Sequence, residues 1–373
     1  MSTASDPARD AARDTACDTA LDAAPPRAVL ALNSGSSSLK FGLYRVSQSR
    51  AEVLLAGTHD AASIGDQAEA VRDIINQLAA HKLPAPEVIG HRVVHGGAGI
   101  QQHVLITAAV LQQLEAAAAF APLHAPAALA VIRLAQQRFA GTPQVACLDT
   151  VFHADMPAAA RTLPIDRALQ AEGLRRYGFH GLSCESVVRQ LGGDLPERLV
   201  IAHLGHGASV TAVRQGRSAD TSMGLTPAGG TMMGTRSGDL DPGLLVYLMR
   251  ERAMDAAAID ALINHRSGLI GVSGVASDLR QLHAAAASNP DAALAIAMFC
   301  LGVRKQVAAM AAVLGGIDLL VFTGGIGEND ALVRDAVCAG LAWIEGLAVR
   351  VLPSQEDAQI ARHAAAIGGG RVD

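Results

Sequence analysis

Two strand-to-turn segments of the same design, with a third further along, limit the fold of this chain more than anything else in it. Ala28–Leu32 is an apolar run ending in Asn33-Ser34-Gly35-Ser36-Ser37-Ser38-Leu39-Lys40, and Phe41–Val46 reads as its hairpin partner. Arg198–His203 runs into Leu204-Gly205-His206-Gly207-Ala208-Ser209, with Ala208–Gln215 as the second arm. A third buried run, Ile317–Phe322, ends in Thr323-Gly324-Gly325-Ile326-Gly327-Glu328-Asn329. Small residues after a buried strand let backbone N–H groups approach an anion closely. Two matched turns imply a duplicated fold that clamps one polyphosphate between its halves, and the third turn fits a nucleoside. A Gly/Ser turn is also simply how a hairpin bends. None of the three is a Walker A loop, which needs Gly-Lys-Ser/Thr after its glycines.

Length agrees with two halves, since 373 residues exceed what one core of ordinary size needs. In the first half, Glu52–Ala56 could be a third strand and Gln67–Leu78 has helical spacing. Glu87–Val94 reads as a strand, helices follow near 107–119 and 126–138, and Gln144–Leu148 is a buried strand that delivers Asp149. In the second half, Arg217–Thr221 follows the hairpin as a strand. Helices are expected near 242–252, 255–264, 277–286, 290–314 and 330–341, and Leu347–Leu352 as a last strand. Pro353 is read as opening a final helix near 354–366, because proline is tolerated in a first turn. This order, given twice, is an α/β architecture. The expected division is a disordered tail over 1–27, an N-terminal lobe over 28–154 and a C-terminal nucleotide-binding lobe over 155–356, with the C-terminal helix 357–373 packing on the N-terminal lobe.

Half of the residues are hydrophobic but only 3% are aromatic, so the helices should be Ala-rich and closely packed. A net charge of −5 gives no basic surface for nucleic acid or membrane. The five cysteines are scattered and show no CxxC spacing, which fits free thiols in a reducing cytosol. No uncharged apolar run reaches the ~18 residues of a membrane span. The segment 1–27 has no apolar core and carries several aspartates, so it reads as neither secretory signal nor transit peptide.

Candidate chemistry gathers on few residues. Arg92, in His91-Arg92-Val93-Val94-His95-Gly96-Gly97, and Arg236, in Met232-Met233-Gly234-Thr235-Arg236-Ser237-Gly238-Asp239, sit among small and apolar neighbours. An arginine there either pairs with a buried carboxylate or faces an anionic ligand, and its planar fork suits carboxylate and phosphate. His180 and His124 stand out among the thirteen histidines by their glycine or proline neighbours. Asp149 follows a buried strand, where α/β folds place ligand-facing residues; an N-cap or turn aspartate would look the same. Glu328 and Glu356 are carboxylates near strand ends, and either could serve Mg²⁺ through water.

Six ordered motifs over about residues 28–362 resemble the acetate kinases. They are the strings at 33–40, 91–97, 175–181 (Arg-Arg-Tyr-Gly-Phe-His-Gly), 220–224 (Asp-Thr-Ser-Met-Gly), 232–239 and 323–329. The resemblance implies two ribonuclease-H-like lobes of the acetate and sugar kinase/actin-like superfamily, duplicated mixed sheets flanked by helices, in a cytoplasmic homodimer. It implies reversible transfer of a phosphoryl group from ATP to acetate, with Mg²⁺ (Mn²⁺ as a substitute) and ATP or ADP bound. By its motifs, Arg92, Asp149, His180 and Arg236 would be catalytic. Arg92, Val94, Leu123, Phe179 and Pro227 would bind substrate, and Asn33 and Glu356 would place the metal. Lys40, His203, Gly205, His206, Gly207, Asp278, Leu279, Arg280, Gly325, Ile326, Gly327 and Asn329 would bind the nucleotide.

The chain departs from the family pattern at His206, where asparagine is usual, and at Gly229, where an acid is usual. Ala125 stands in place of an asparagine, and the chain is shorter between Gly346 and Leu347. Propionate kinase shares the motifs; Val94 keeps the expected pocket short, which favours acetate. A nucleotide-binding regulatory or structural protein of the same fold is the alternative from another class. The arginine pair and the apolar quartet speak against it.

Overall fold

The structure, a computed structural model, describes residues 25–35, 38–47, 50–60, 64–121 and 125–369. The expected tail lies outside them except for its last three residues, as do Ser36, Ser37, Leu123 and His124. Two compact units form: unit 1 runs to Val151 and resumes at Gln355, and unit 2 is Phe152–Ser354.

Unit 1 holds a six-stranded sheet in the order β3-β2-β1-β4-β6-β5. Its strands are β1 (Arg27–Ser34), β2 (Ser38–Ser47), β3 (Arg50–Asp60), β4 (Val88–Val93), β5 (Val104–Leu105) and β6 (Gln144–Leu148). Arg27, placed in the tail by the sequence, already pairs with Val46. β1, β2 and β3 form an antiparallel meander, while β4 and β6 lie parallel to β1. Alternation assigns the two faces. Leu30, Leu32 and Ile89 pack with Ile74 and Val131 of the helices Ile64–Ala80 and Ala125–Arg138. Gly90, one residue on from Ile89, faces the helix Glu356–Ile367, and a Cβ there would stand 2.7 Å from Ile360 Cγ2.

Unit 2 repeats this plan in five strands ordered β11-β10-β7-β8-β9. They are β7 (Arg198–Leu204), β8 (Ala208–Arg214), β9 (Arg217–Thr221), β10 (Leu319–Thr323) and β11 (Ala348–Val351). Again three strands meander and two run parallel on the other side of the first. A register shift interrupts the second-to-third strand pairing in both units, at Leu43/Tyr44 and at Ala212/Val213. The duplication read from two hairpins therefore extends to five strands of each sheet.

The 25-residue helix Pro290–Leu314 is, by length and composition, long and apolar enough to cross a membrane. The rule of uncharged runs passed over it because Arg304 and Lys305 interrupt it. In the fold it packs against β7, β8 and β9, and Ala295, Phe299, Val303 and Val307 are buried in unit 2. Cys147, Cys184, Cys300 and Cys338 are free thiols, and Cys17 lies outside the described residues.

Two of the elements that differ from the sequence expectation bear on the site. The helix Gly181–Leu191 was not foreseen, because Gly181, Ser183 and Ser186 dilute its helical signal. The last helix begins at Glu356 instead of Pro353, since Gln355 takes a left-handed conformation at φ 44° and interrupts any earlier start.

Candidate active site

Three neighbouring parallel strands of unit 1 end in one polar row. Leu32 of β1 is in register with His91 of β4, so Asn33 stands beside Arg92. Arg92 is in register with Cys147 of β6, and Asp149 lies two residues further along the same face. The carboxyl ends of parallel strands are where α/β sheets place ligand-facing groups. The Arg92 guanidinium donates to Asp149 from Nε at 3.0 Å and from Nη2 at 2.6 Å, and from Nη1 to Asn33 Oδ1 at 3.3 Å. Asp149 is fully buried. Burial alone works against the charge on Arg92, but the carboxylates of Asp149, Glu356 and Asp357 outweigh it and raise its pKa.

The helix Glu356–Ile367 brings two acids of its first turn to this row. Asn33 Nδ2 donates to Asp357 Oδ1 at 2.8 Å and to Glu356 Oε2 at 3.3 Å. Burial pushes the Asp357 carboxyl above its ordinary range, with Glu356 adding to the rise. The Asn33 hydrogen bond, Lys40 and Arg92 oppose it. Oxygen donors so arranged suit a hard cation. Sequence reasoning paired Asn33 with Glu356 and passed over Asp357, although it stands next in the same string. Lys40 pairs with Asn33 across the hairpin in unit 1. Val94 is buried just after β4, and Leu123 is outside the described residues.

In unit 2 the turn after β7 is closed by Gly205 N donating to Gly207 O at 2.8 Å. A Cβ on Gly207 would lie 2.9 Å from His180 Nε2 and 3.6 Å from Arg236 Nη1. Two candidate side chains therefore converge on one glycine, and a larger residue at 207 would occupy the space they share. Arg236 is only 6% exposed, and its Nη1 donates to Pro227 O at 3.1 Å. His180 sits at the N-cap of Gly181–Leu191 with φ 59°, directly after the buried Phe179.

A cavity of about 840 Å³ opens beside this turn, wholly within unit 2. Gly205, His206, Asp278, Leu279, Arg280, Gly325, Ile326 and Asn329 line it, as the sequence grouped them. Burial, then the charge of Arg236, lower the pKa of His206. Asp278 caps the helix Leu279–Ala285 and pairs with Arg280. Gly327 is buried under this wall without lining it.

His283 and Asp330 also line the cavity and pair with each other at 2.9 Å. They are 47 residues apart and no local pattern links them. Glu328, one of two acids considered for the metal, instead accepts from the backbone N–H groups of Gly324 and Ser354, both at 3.0 Å. That carboxylate ties the end of β10 to the chain leaving β11.

Among known proteins, the sequence model of the Acetokinase family matches residues 56–359. This chain belongs to the acetokinase family. The acetate kinase of Thermosynechococcus vestitus is 40% identical over 362 residues, covering 85% of this chain and 87% of that protein. The crystal structure of Porphyromonas gingivalis acetate kinase superposes with a TM-score of 0.80 at 34% identity, covering 92% of this chain and all of that one. A propionate kinase from Francisella tularensis reaches 0.81 at 34% identity, with the same coverage. The fold is accordingly the duplicated acetokinase architecture of two mixed sheets flanked by helices.

Proposed function

We infer that this protein catalyses reversible phosphoryl transfer between ATP and acetate, giving ADP and acetyl phosphate. The observation that carries this reading is in unit 2. A cavity of nucleoside size has a wall at Gly205 and His206, and that wall leads to Gly207, where Arg236 and His180 converge. A nucleotide seated there has its terminal phosphate next to a guanidinium and an imidazole.

The chemistry asks for little else. A carboxylate oxygen is already a nucleophile at neutral pH. It attacks the γ-phosphorus, the bond to the β–γ bridging oxygen breaks, and ADP leaves with that electron pair. No proton need be removed. The difficulty is bringing two anions together, so catalysis rests on positioning and charge neutralisation. Arg236 and His180 donate to the equatorial phosphoryl oxygens. Arg92, held in place by Asp149, offers its remaining N–H groups to the incoming carboxylate. Val94, Phe179 and Pro227 are proposed to contact the methyl group, and Lys40 to add charge near the phosphates. Asn33, Glu356 and Asp357 would hold Mg²⁺, and carboxyl and amide oxygens gathered around the buried Asp357 fit a site built for a hard cation. When bound, Mg²⁺ supplies charge neutralisation on the nucleotide phosphates.

Acetate is favoured over propionate because Val94 shortens the pocket, though one methylene is worth only about 1–3 kcal/mol of discrimination. Steady-state hydroxamate assays over short-chain acids are the test. Acetate should give the highest kcat/KM, and a higher value for propionate or butyrate would refute that choice. Binding of ATP with no acyl phosphate from any acid would refute the enzyme itself.

We also propose a homodimer in the cytoplasm. Leu244, Val246, Tyr247 and Met249 of the helix Pro242–Glu251, with Leu294, Met298 and Leu301 of Pro290–Leu314, are exposed apolar residues of unit 2 that favour self-association. Free thiols and a nucleotide substrate suit the cytoplasm. Sedimentation at micromolar concentration should give twice the 38.3 kDa chain mass.

A further inference from the structure

Four buried side chains of unit 2 form a crossed set. The helix Gly181–Leu191 and its cap bring His180 and Ser183, three positions apart. The β7–β8 pair brings His203 and Ser209, which face each other in register and so share one face of the sheet. Each serine then holds the histidine of the other element. Ser209 Oγ lies 2.9 Å from His180 Nδ1, and Ser183 Oγ lies 2.8 Å from His203 Nδ1. The two rings stack at 4.1 Å between centroids, 24° from parallel. Both serines are fully buried.

The far nitrogens face the glycine turns. His180 Nε2 lies 2.9 Å from the Cβ position of Gly207, and His203 Nε2 lies 3.2 Å from that of Gly324 and 3.8 Å from that of Gly205. A neutral imidazole carries one N–H, and the hydrogen bond made by one nitrogen decides which of the two bears it. A hydroxyl can donate or accept. Phosphoryl oxygens only accept, so an imidazole serving them needs its proton on Nε2, and its Nδ1 must then accept. Protonating both rings instead would set two like charges in contact, and one of them beside Arg236.

We propose that Ser209 and Ser183 are positioning residues for the transfer, donating to Nδ1 so that His180 and His203 both present Nε2–H to the turns at 205–207 and 324–325. This rests on the phosphoryl-transfer reading above. Ser209, acting through His180, serves the group in flight. Ser183, acting through His203, serves the bound nucleotide. The crossing makes each ring depend on the opposite element, so helix and hairpin are aligned by the same bonds that set the tautomers.

Two readouts test this on the full chain. ¹⁵N NMR of histidine-labelled protein, assigned with single His→Gln variants, should show the Nε2–H tautomer at 180 and 203. The 180 signal should become a tautomer mixture in Ser209→Ala. In kinetics, Ser209→Ala should lower kcat by about 10–100-fold with KM for ATP within about threefold, whereas Ser183→Ala should act mainly on KM for ATP. Ser209→Thr, which keeps the hydroxyl, should recover most of the rate. An Nδ1–H tautomer at either ring of the wild-type protein overturns the proposal, whether or not the threonine variant folds. So does unchanged kcat in Ser209→Ala, or a loss of kcat matched by a fall in Tm. A wild-type protein with the expected tautomers but no acyl phosphate sinks the kinase reading alone, because the NMR readout needs no turnover.

Discussion

Arg236, buried at 6% exposure and converging with His180 on Gly207, is the residue on which the proposed chemistry turns in unit 2. In the proposed reaction it neutralises charge that grows in the transition state, so Arg236→Ala should cut kcat by about 10³-fold while KM for ATP moves far less. Circular dichroism and Tm near wild type would separate this from misfolding, and unchanged turnover would remove Arg236 from the mechanism. Asp357 gives the opposite kind of test. Its carboxyl is held above its ordinary pKa by burial and by Glu356. Asp357→Asn should therefore leave Tm equal or higher, since a buried charge is removed and an amide oxygen still accepts from Asn33. The same variant should raise the Mg²⁺ needed for half activity by about tenfold, read by metal titration of the rate. The sequence made Arg92, Asp149, Arg236 and His180 legible, because charged residues among apolar and glycine neighbours are conspicuous. Asp357 was hidden beside an equally plausible acid. Ser183 and Ser209 were hidden because a buried serine has no sequence signature, and the histidine each one holds is more than 19 residues away.

At the scale of elements, glycine sets how closely the helix Glu356–Ile367 lies on the sheet. A Cβ at Gly90 would stand 2.7 Å from Ile360 Cγ2 and 2.9 Å from Ala364 Cβ. Gly90→Ala forces the helix off β4 and should cost about 1–3 kcal/mol, a Tm lower by roughly 2–12 °C for a unit of this size. A Tm within 1 °C of wild type, at about the precision of the measurement, would mean that the contact yields freely. The same helix carries Glu356 and Asp357, so looser packing should also raise the Mg²⁺ requirement. Elements with a strong period were readable in advance. The helix 290–314 and the strands at Gln144–Leu148 and Arg217–Thr221 came out with their expected bounds. The two-residue β5 and the short helix Gly324–Asn329 were not readable, since each depends on tertiary pairing more than on local preference. The final helix was started too early because proline can open a helix, and nothing local revealed the left-handed Gln355.

For the whole molecule, the duplicated five-strand plan puts candidate site residues at corresponding places of the two units. Asn33 at the end of β1 and His203 near the end of β7 each lie one pair inside the hairpin turn. Unit 1 gained a carboxylate cluster there, and unit 2 a histidine–serine set. Stability should also carry the mark of two of the buried imidazoles, His91 in unit 1 and His153 in unit 2. Burial pushes His91 and His153 down to about 4 from 6.5, against the hydrogen bonds that the rings donate to Gln144 Oε1 and Phe179 O. Their folded values lie below the unfolded value, so the unfolded chain binds these protons first. Their contribution is complete well above pH 6.5 and is lost as pH falls from there towards 4, by up to about 2 kcal/mol each at pH 5. Denaturant midpoints measured from pH 8 to 5 should fall accordingly, and His153→Gln should flatten the fall. A midpoint independent of pH would contradict the assignment of both rings as buried and neutral.

If a carboxylate accepts the phosphoryl group without an intermediary, ³¹P NMR of the purified protein with ATP, Mg²⁺ and acetate will show it. An acetyl phosphate resonance should grow together with ADP, reverse when ADP and acetyl phosphate are supplied instead, and vanish in Arg236→Ala. Inorganic phosphate appearing in its place, or an unchanged ATP spectrum in the presence of acetate, would contradict the account.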